Sequence, residues 1–360
     1  MQLKLESLPL ESLDGGDNLL QSGFWGAHKG RFGWTPHAFA VSTADTDDEV
    51  RILVLTRTIA AGRSLAYLPH GPDSRSGRAA DGSAAPHRID ANLLRALAAE
   101  IGRTLKVDLV RYDLPEPVIT GENAPEKQLF GEQLSGLRQS VVDVQPASTV
   151  IVDIGATEQN ILAAMKPKTR YNVLLAGRKG VEVVQSNVDE LATWYTLYRE
   201  TAARDRIAIH SFEYYRALFD LAETFDGPAP DVRLYMARHG GDNLAGIITA
   251  RVGAVATYLY GASSNEKRNL MPAYALQWRA MRDASAAGAV SYDLFGIPPT
   301  DDPEHSMAGL YRFKTGFGGR ILHRPGCWDV PIRPLAYAVY RAAESARSYY
   351  FHRFLKRTRR

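Results

Sequence analysis

The chain has 360 residues, 45% of them hydrophobic, which is enough for two domains of ordinary size. Its one cysteine, Cys327, excludes an internal disulfide and a cysteine-built metal cluster, and fits a reducing compartment. The net charge is only +3, from 43 basic and 40 acidic residues, yet it is unevenly placed. Lys166, Lys168, Arg170, Arg178 and Lys179 lie within fourteen residues that hold no acid, and Arg353, Lys356, Arg357, Arg359 and Arg360 crowd the last ten. Two such clusters in a nearly balanced chain point to an anionic partner. Residues 1–20 lack a basic start followed by an apolar run, and no window approaches the roughly 18 apolar residues of a membrane span. A soluble, cytoplasmic protein is expected. The nine histidines are scattered without ligand spacing, so no metal site is expected.

In chain order, residues 17–29 read as a helix start, with Asp17 or Ser22 as cap and Phe24 and Trp25 inward. Residues 51–58 and 64–69 are predicted strands, and 71–88 a loop of small, polar, Gly- and Pro-containing sequence. Asp90 caps a helix through about Ile101, with Leu93, Leu94, Leu97 and Ile101 at helical spacing. A strand over 105–112 follows, then a stretch with Pro115, Pro117, Pro125 and Pro146. The domain boundary is placed near 147, giving 1–147 plus 324–360 as one domain and 148–323 as the other. Residues 149–154 form a strand, Thr157 caps a short helix, Pro167 opens another, and 188–203 make a third. After Pro230 the pattern turns to hairpins over 233–238, 244–251 and 254–261. Pro272 then opens a helix to about Ala287, and a strand over 290–295 follows.

The run Gly309–Gly319 (GLYRFKTGFGG) stands out. Tyr311 to Lys314 reads as one helical turn stopped by Gly316 and Gly318-Gly319, with the Lys314 stem held between Phe313 and Phe317 and the glycines allowing close approach of a ligand.

Two halves share an order of parts. Ala66-Tyr67-Leu68, helix 90–101 and Val107-Asp108-Leu109 are matched by Thr257-Tyr258-Leu259, helix 272–287 and Tyr292-Asp293-Leu294. Antiparallel strands followed by a helix and a strand resemble the acyltransferase fold called GNAT. The expected fold is therefore α/β (α+β): two tandem GNAT-like domains with mixed, mostly antiparallel sheets. GNAT enzymes hold the pyrophosphate of acyl-coenzyme A on a glycine-containing turn at a helix start. Here that place reads Arg268-Asn269-Leu270-Met271-Pro272-Ala273: Met271 replaces the glycine, and Pro272 lacks an N–H.

Across nearly the whole chain the sequence resembles the FemABX aminoacyltransferases of peptidoglycan bridge formation, most of all the shorter members without a coiled-coil arm. The residues carrying it include Gln21-Ser22, Trp25 and Lys29; Tyr67, Pro69, Gly71 and Pro72; Lys166-x-Lys168-Thr169-Arg170-Tyr171-Asn172; Thr201 and Arg204-Asp205; Tyr260-Gly261-Ala262; and the 309–319 run. The resemblance implies transfer of an amino acid from aminoacyl-tRNA to a stem-peptide amine of UDP-MurNAc-pentapeptide or lipid II. It implies no cofactor and no stable protein partner. It makes Lys29 and Arg204 ligands of the nucleotide-sugar diphosphate, Tyr67, Tyr260 and Gly261 further substrate contacts, and Lys314 with Phe313 the catalytic pair.

Aminolysis of an ester develops negative charge on the carbonyl oxygen, which a fixed ammonium would stabilise. Asp293, Asp302, Glu304 or the substrate itself is left as the base, and Cys327, with no neighbouring base, reads as packing. Lys166, Lys168 and Arg170 fit either tRNA phosphates or a wet helix face. Segment 333–360 fits packing, tRNA, or anionic lipid at the inner membrane surface. Two other readings stand beside the transferase: an acyl-coenzyme A N-acyltransferase, and a non-catalytic tRNA- or precursor-binding protein.

Overall fold

The computed structural model describes residues 3–43, 46–59, 62–73, 77–78, 90–115 and 134–350. The basic cluster of 351–360, most of the expected loop at 71–88, and Pro117 and Pro125 lie outside the described residues. The chain divides into two units: Met1–Gly15, Leu20–Ala147 and Arg324–Arg360 make the first, Gly16–Leu19 and Ser148–His323 the second. Residues 16–19 go with the second through Asp17, whose carboxylate accepts from the Ala254 N–H at 2.7 Å.

The first unit is a sheet of β1 (Leu3–Leu8), β2 (Thr35–Thr43), β3 (Thr46–Ile59), β4 (Arg63–Leu68), β5 (Gly77–Arg78), β6 (Leu109–Leu114), β7 (Arg138–Gln139) and β15 (Gly326–Pro331). Their order is β1-β2-β3-β4-β6-β15-β7, with β5 also on β3. Every pair is antiparallel except β4 with β6. Two helices explain the continuous apolar run of β3. Ile52 and Val54 face α2 (Ala91–Leu105), whose Leu94, Leu97 and Ile101 are buried at helical spacing. Leu53, on the other face, meets α1 (Gly23–Gly30), where a Cβ on Gly26 would come within 2.8 Å of its Cδ1. Ser22 caps α1 by accepting from the Trp25 N–H, and Asp90 caps α2 by accepting from Asn92 and Leu93.

A final helix, Pro334–Tyr350, sends Tyr337 against Leu65 and Leu109. It also completes a buried ionic network. Arg111 on β6 grips both carboxylate oxygens of Asp329 (2.7 and 2.9 Å) and both of Glu344 (2.8 and 3.0 Å). One guanidinium serves two carboxylates, so the network is fully hydrogen-bonded with negative charge in excess.

The second unit contains β8 (Ser148–Asp153), α3 (Glu158–Ala164), α4 (Pro167–Arg178), β9 (Glu182–Ser186), α5 (Leu191–Asp205), α6 (Phe212–Thr224), β10 (Asp231–His239), β11 (Asp242–Val252), β12 (Val255–Ser263), α7 (Pro272–Ala286), β13 (Ser291–Asp293), α8 (Ala308–Thr315) and β14 (Arg320–His323). The C-terminal helix of the first unit is accordingly α9. The order here is β14-β8-β13-β12-β11-β10-β9, and only β12 with β13 is parallel.

Apart from β5, the two sheets therefore correspond strand for strand, with a parallel fourth and fifth strand joined through α2 or α7. The order of parts shared by the two halves of the sequence is this βαβ unit. Seven strands (β1, β2, β5, β7, β9, β14, β15) and α6 were not expected from the sequence, β5 lying in the stretch read as a loop.

Candidate active site in the second unit

β12 and β13 pair over three residues only, Val255–Thr257 against Ser291–Asp293, and then part. Two irregularities shape the opening. In the ladder with β11, Tyr260 faces Ile248 and Tyr258 faces Thr249, so Leu259 is an extra, bulged residue. The bulge sends the two tyrosines to different places although they lie two apart. Tyr258 packs on the cluster containing Tyr292 and Leu276, while Tyr260 meets Tyr215 edge-on at 5.0 Å. Past β13, Phe295 adopts a φ of +56°, an uncommon conformation for a bulky residue. Asp293 holds it there by accepting from the Phe295 N–H at 2.7 Å, and the Thr149 hydroxyl donates to the same oxygen.

Lys314 fills this opening. Its Nζ donates to the carbonyl oxygens of Phe295 (3.1 Å) and Gly296 (2.9 Å) and lies 5.2 Å from the Tyr258 ring centroid. The residue is only 6% exposed. Burial pushes its pKa down to about 7, with Asp293 pulling the other way. An ammonium is thus held in an apolar surround by carbonyl dipoles and an aromatic face, where its electrostatic effect is large.

The helix carrying Lys314 differs from expectation in two ways. It runs two turns, Ala308–Thr315, and it does not clamp the lysine stem between aromatics. Phe313 and Phe317, at i and i+4, pack edge-on at 5.3 Å, and Phe313 meets Tyr274 at 5.0 Å. Lys314, about 100° further round the helix than Phe313, reaches Tyr258 instead. Phe313 therefore supports the helix from the core side.

Three glycines of the run, Gly316, Gly318 and Gly319, are required by packing. A Cβ on Gly316 would sit 2.1 Å from Thr169 Oγ1, on Gly318 2.2 Å from the Ala164 oxygen, and on Gly319 2.6 Å from the Ile151 oxygen. The two sequence runs 166–172 and 309–319 are thus one packed assembly. The Lys166 N–H donates to the Gly316 oxygen at 2.9 Å, and its Nζ to Thr315 Oγ1 at 3.4 Å.

Of the other expected site residues, Gly261 is the one beside the opening: a Cβ there would overlap the Tyr258 hydroxyl at 1.7 Å. Tyr260 belongs to a ring cluster with Tyr198 and Tyr215. Arg204 ties α5 to the end of β12, donating to Ser263 O (2.9 Å), Ser263 Oγ (3.0 Å), Asn265 (3.0 Å) and Asp205 (2.9 Å). Lys168 is exposed, whereas Arg170 caps the end of α3 by donating to the Ala163 oxygen at 3.1 Å.

In the first unit, Lys29 stands 5.8 Å from the Trp25 ring centroid, with its pKa lowered by burial and by Arg57. Tyr67 is buried and donates to Asp113 at 2.9 Å, so its hydroxyl is committed inside the core. Cys327 is buried, its thiol pushed up by burial, and accepts from the Val144 N–H. Among the described residues no group of His, Cys, Asp or Glu is arranged to hold a metal ion.

Sequence reasoning did not single out Tyr258 as a site residue, and it missed the two carbonyls that hold Lys314. The Tyr-Leu-Tyr-Gly pattern was the available signal for the first; main-chain acceptors leave none.

A mixed sheet of this order, repeated and parting after its one parallel pair, defines a tandem GNAT-like protein. A solved tandem GNAT protein from the clavulanic acid pathway is 15% identical, covering 92% of this chain and 98% of its own at a TM-score of 0.50. The structure of FemX is 20% identical over 93% of this chain and 99% of its own, with a TM-score of 0.74.

The profile of the FemAB family matches residues 126–227 and 232–345, more than half of the sequence, and the chain belongs to that family. Among its relatives are lipid II:glycine glycyltransferases of Staphylococcus saprophyticus subsp. saprophyticus (22% identity, 89% of this chain, 90% of the relative) and Staphylococcus aureus strain USA300 (23%, 89% and 89%).

Proposed function

We propose that this chain transfers an amino acid from aminoacyl-tRNA to an amine on the stem peptide of a peptidoglycan precursor. The observation carrying the reading is the Lys314 ammonium, fixed where β12 and β13 part, on a family scaffold whose relatives are named for transfer of glycine to lipid II. The amine nitrogen bonds to the ester carbonyl carbon as charge moves onto its oxygen. The third N–H of Lys314 stabilises that oxygen, the other two being held by the Phe295 and Gly296 carbonyls. The intermediate then expels the ribose oxygen, which takes the proton the amine gives up. Asp293, already accepting from Thr149 and Phe295, positions the carbonyls rather than acting as base.

Met271 supports an ester donor over a coenzyme A thioester. It occupies the turn before α7 with φ +60°, the conformation that favours glycine, and Pro272 after it has no N–H to offer a pyrophosphate. Lys29 and Arg204 remain the proposed diphosphate ligands, Arg204 after release of Asp205, and Lys166 and Lys168 the proposed tRNA contacts. The test supplies purified protein with glycyl-tRNA or acetyl-coenzyme A, and with lipid II or UDP-MurNAc-pentapeptide. Glycine transfer from the charged tRNA alone is expected; acetyl transfer alone would overturn the reading.

A further inference from the structure

The outer face of α9 is apolar and exposed. Leu335, Val339, Ala342 and Tyr349 recur at i, i+4, i+7 and i+14, and so share one side of a helix about 26 Å long. Leu335 is 86% exposed, Val339 69% and Tyr349 57%. The opposite side, with Ala336, Tyr337, Tyr340 and Glu344, is the one that faces the first unit.

Charge frames this stripe with one sign. Arg341 and Arg347 lie exposed on its two flanks. Beside it runs a cleft of about 640 Å³ between α9 and β7, lined by Arg138, Arg341, Tyr337, Ala338 and Ala342 among others, with no acidic side chain. The Arg138 guanidinium lies 5.8 Å from the Tyr337 ring centroid at the cleft floor. The acids nearby are used internally: Asp329 and Glu344 are bound to Arg111. In sequence, the ten residues after α9 add five basic residues, Phe351, Phe354 and Leu355, and no acid.

We infer that α9 is a membrane-docking helix. It lies in the plane of an anionic lipid surface, with Leu335 and Val339 entering the acyl boundary and a lipid phosphate seated between Arg138 and Arg341. An apolar stripe flanked by arginines on an amphipathic helix matches that environment, and no described helix is long and apolar enough to cross a bilayer. A second copy of the chain is a poorer occupant, because like-charged flanks would face each other. Docking here would hold the protein at the surface where a lipid-linked acceptor is found. It needs no acceptor to be measured, so its failure leaves the transferase reading standing.

The test is flotation of the full chain with vesicles of phosphatidylcholine alone or mixed with phosphatidylglycerol, at low and high salt. Binding to the mixed vesicles only, weakened by salt, is expected. Leu335→Glu with Val339→Glu should weaken it at least tenfold, and Arg138→Ala or Arg341→Ala about fivefold each. Melting temperature should be unchanged in the double glutamate variant, since Leu335 and Val339 face water. Equal binding by the double glutamate variant would overturn the inference by assigning the affinity to the basic tail. A fall in the melting temperature of the double glutamate variant would show the face covered within the fold. Conversion of a dimer to monomers by that variant would assign it to a second copy.

Discussion

The same βαβ unit is finished in opposite ways in the two halves of the chain. In the first, β4 and β6 stay paired over four residues, and the polar groups beside them close on one another: Tyr67 on Asp113, Arg111 on Asp329 and Glu344. In the second, the matching strands separate after three residues and a lysine enters the gap with carbonyl oxygens as its hydrogen-bond acceptors. In the Arg111 network the guanidinium and both carboxylates are hydrogen-bonded to one another within the fold. The Lys314 ammonium is held by two carbonyl dipoles and an aromatic face with Asp293 nearby, and the proposed mechanism has it stabilise a developing oxyanion. One half thus ties its buried charges into the fold, while the other holds a buried ammonium to which the proposed mechanism gives a catalytic role.

That contrast breaks first at Arg111. Arg111→Ala strands Asp329 in the core and should cost about 3–5 kcal/mol of unfolding free energy by urea titration, with transfer per folded molecule intact. Lys314→Ala should do the reverse, lowering kcat about 10²- to 10³-fold with the fold preserved. If stability falls as much as for Arg111→Ala, Lys314 belongs with the structural charges.

The pH profile sharpens the difference. With Lys314 near a pKa of about 7, an oxyanion-stabilising role makes transfer decline as pH rises through that value. Lys314→Arg, cationic throughout, should abolish the decline; activity that instead rises would assign the neutral amine as base. Stability moves oppositely. Because the folded pKa lies below the unfolded value of 10.5, the unfolded chain binds the extra proton between them. Wild type should therefore gain a few kcal/mol relative to Lys314→Met from pH 7 to 10.

Gly261→Ala, which drives a methyl into the Tyr258 hydroxyl, should cost about 1–3 kcal/mol and lower kcat, with partial rescue by Tyr258→Phe. The smallest effect is Asp90→Ala, about 1 kcal/mol from a lost cap far from the opening.

What could be read in advance follows the range of the interactions. Ser22, Asp90 and Thr157 cap helices because a short side chain reaches an N–H two or three residues on, and such signals are visible locally. Lys314 was legible from its aromatic and glycine neighbours. Its surroundings were not, because the partners are main-chain oxygens presented by a left-handed Phe295. Arg204 looked like a free cation in sequence, and only folding brings Ser263 and Asn265 to it. β15 escaped notice for a similar reason. Gly326-Cys327-Trp328-Asp329-Val330-Pro331 has little strand character, and its ladder depends on Tyr112, more than two hundred residues earlier.

That late strand has a consequence for biosynthesis. A chain leaving the ribosome from its N-terminus has every strand of the second sheet available once His323 has emerged. The first sheet must still wait, its β6 edge bare and its arginine without counter-ions, until β15 and α9 arrive. The half made first is completed last, and a fragment ending at His323 would present that edge to other chains as a template for aggregation.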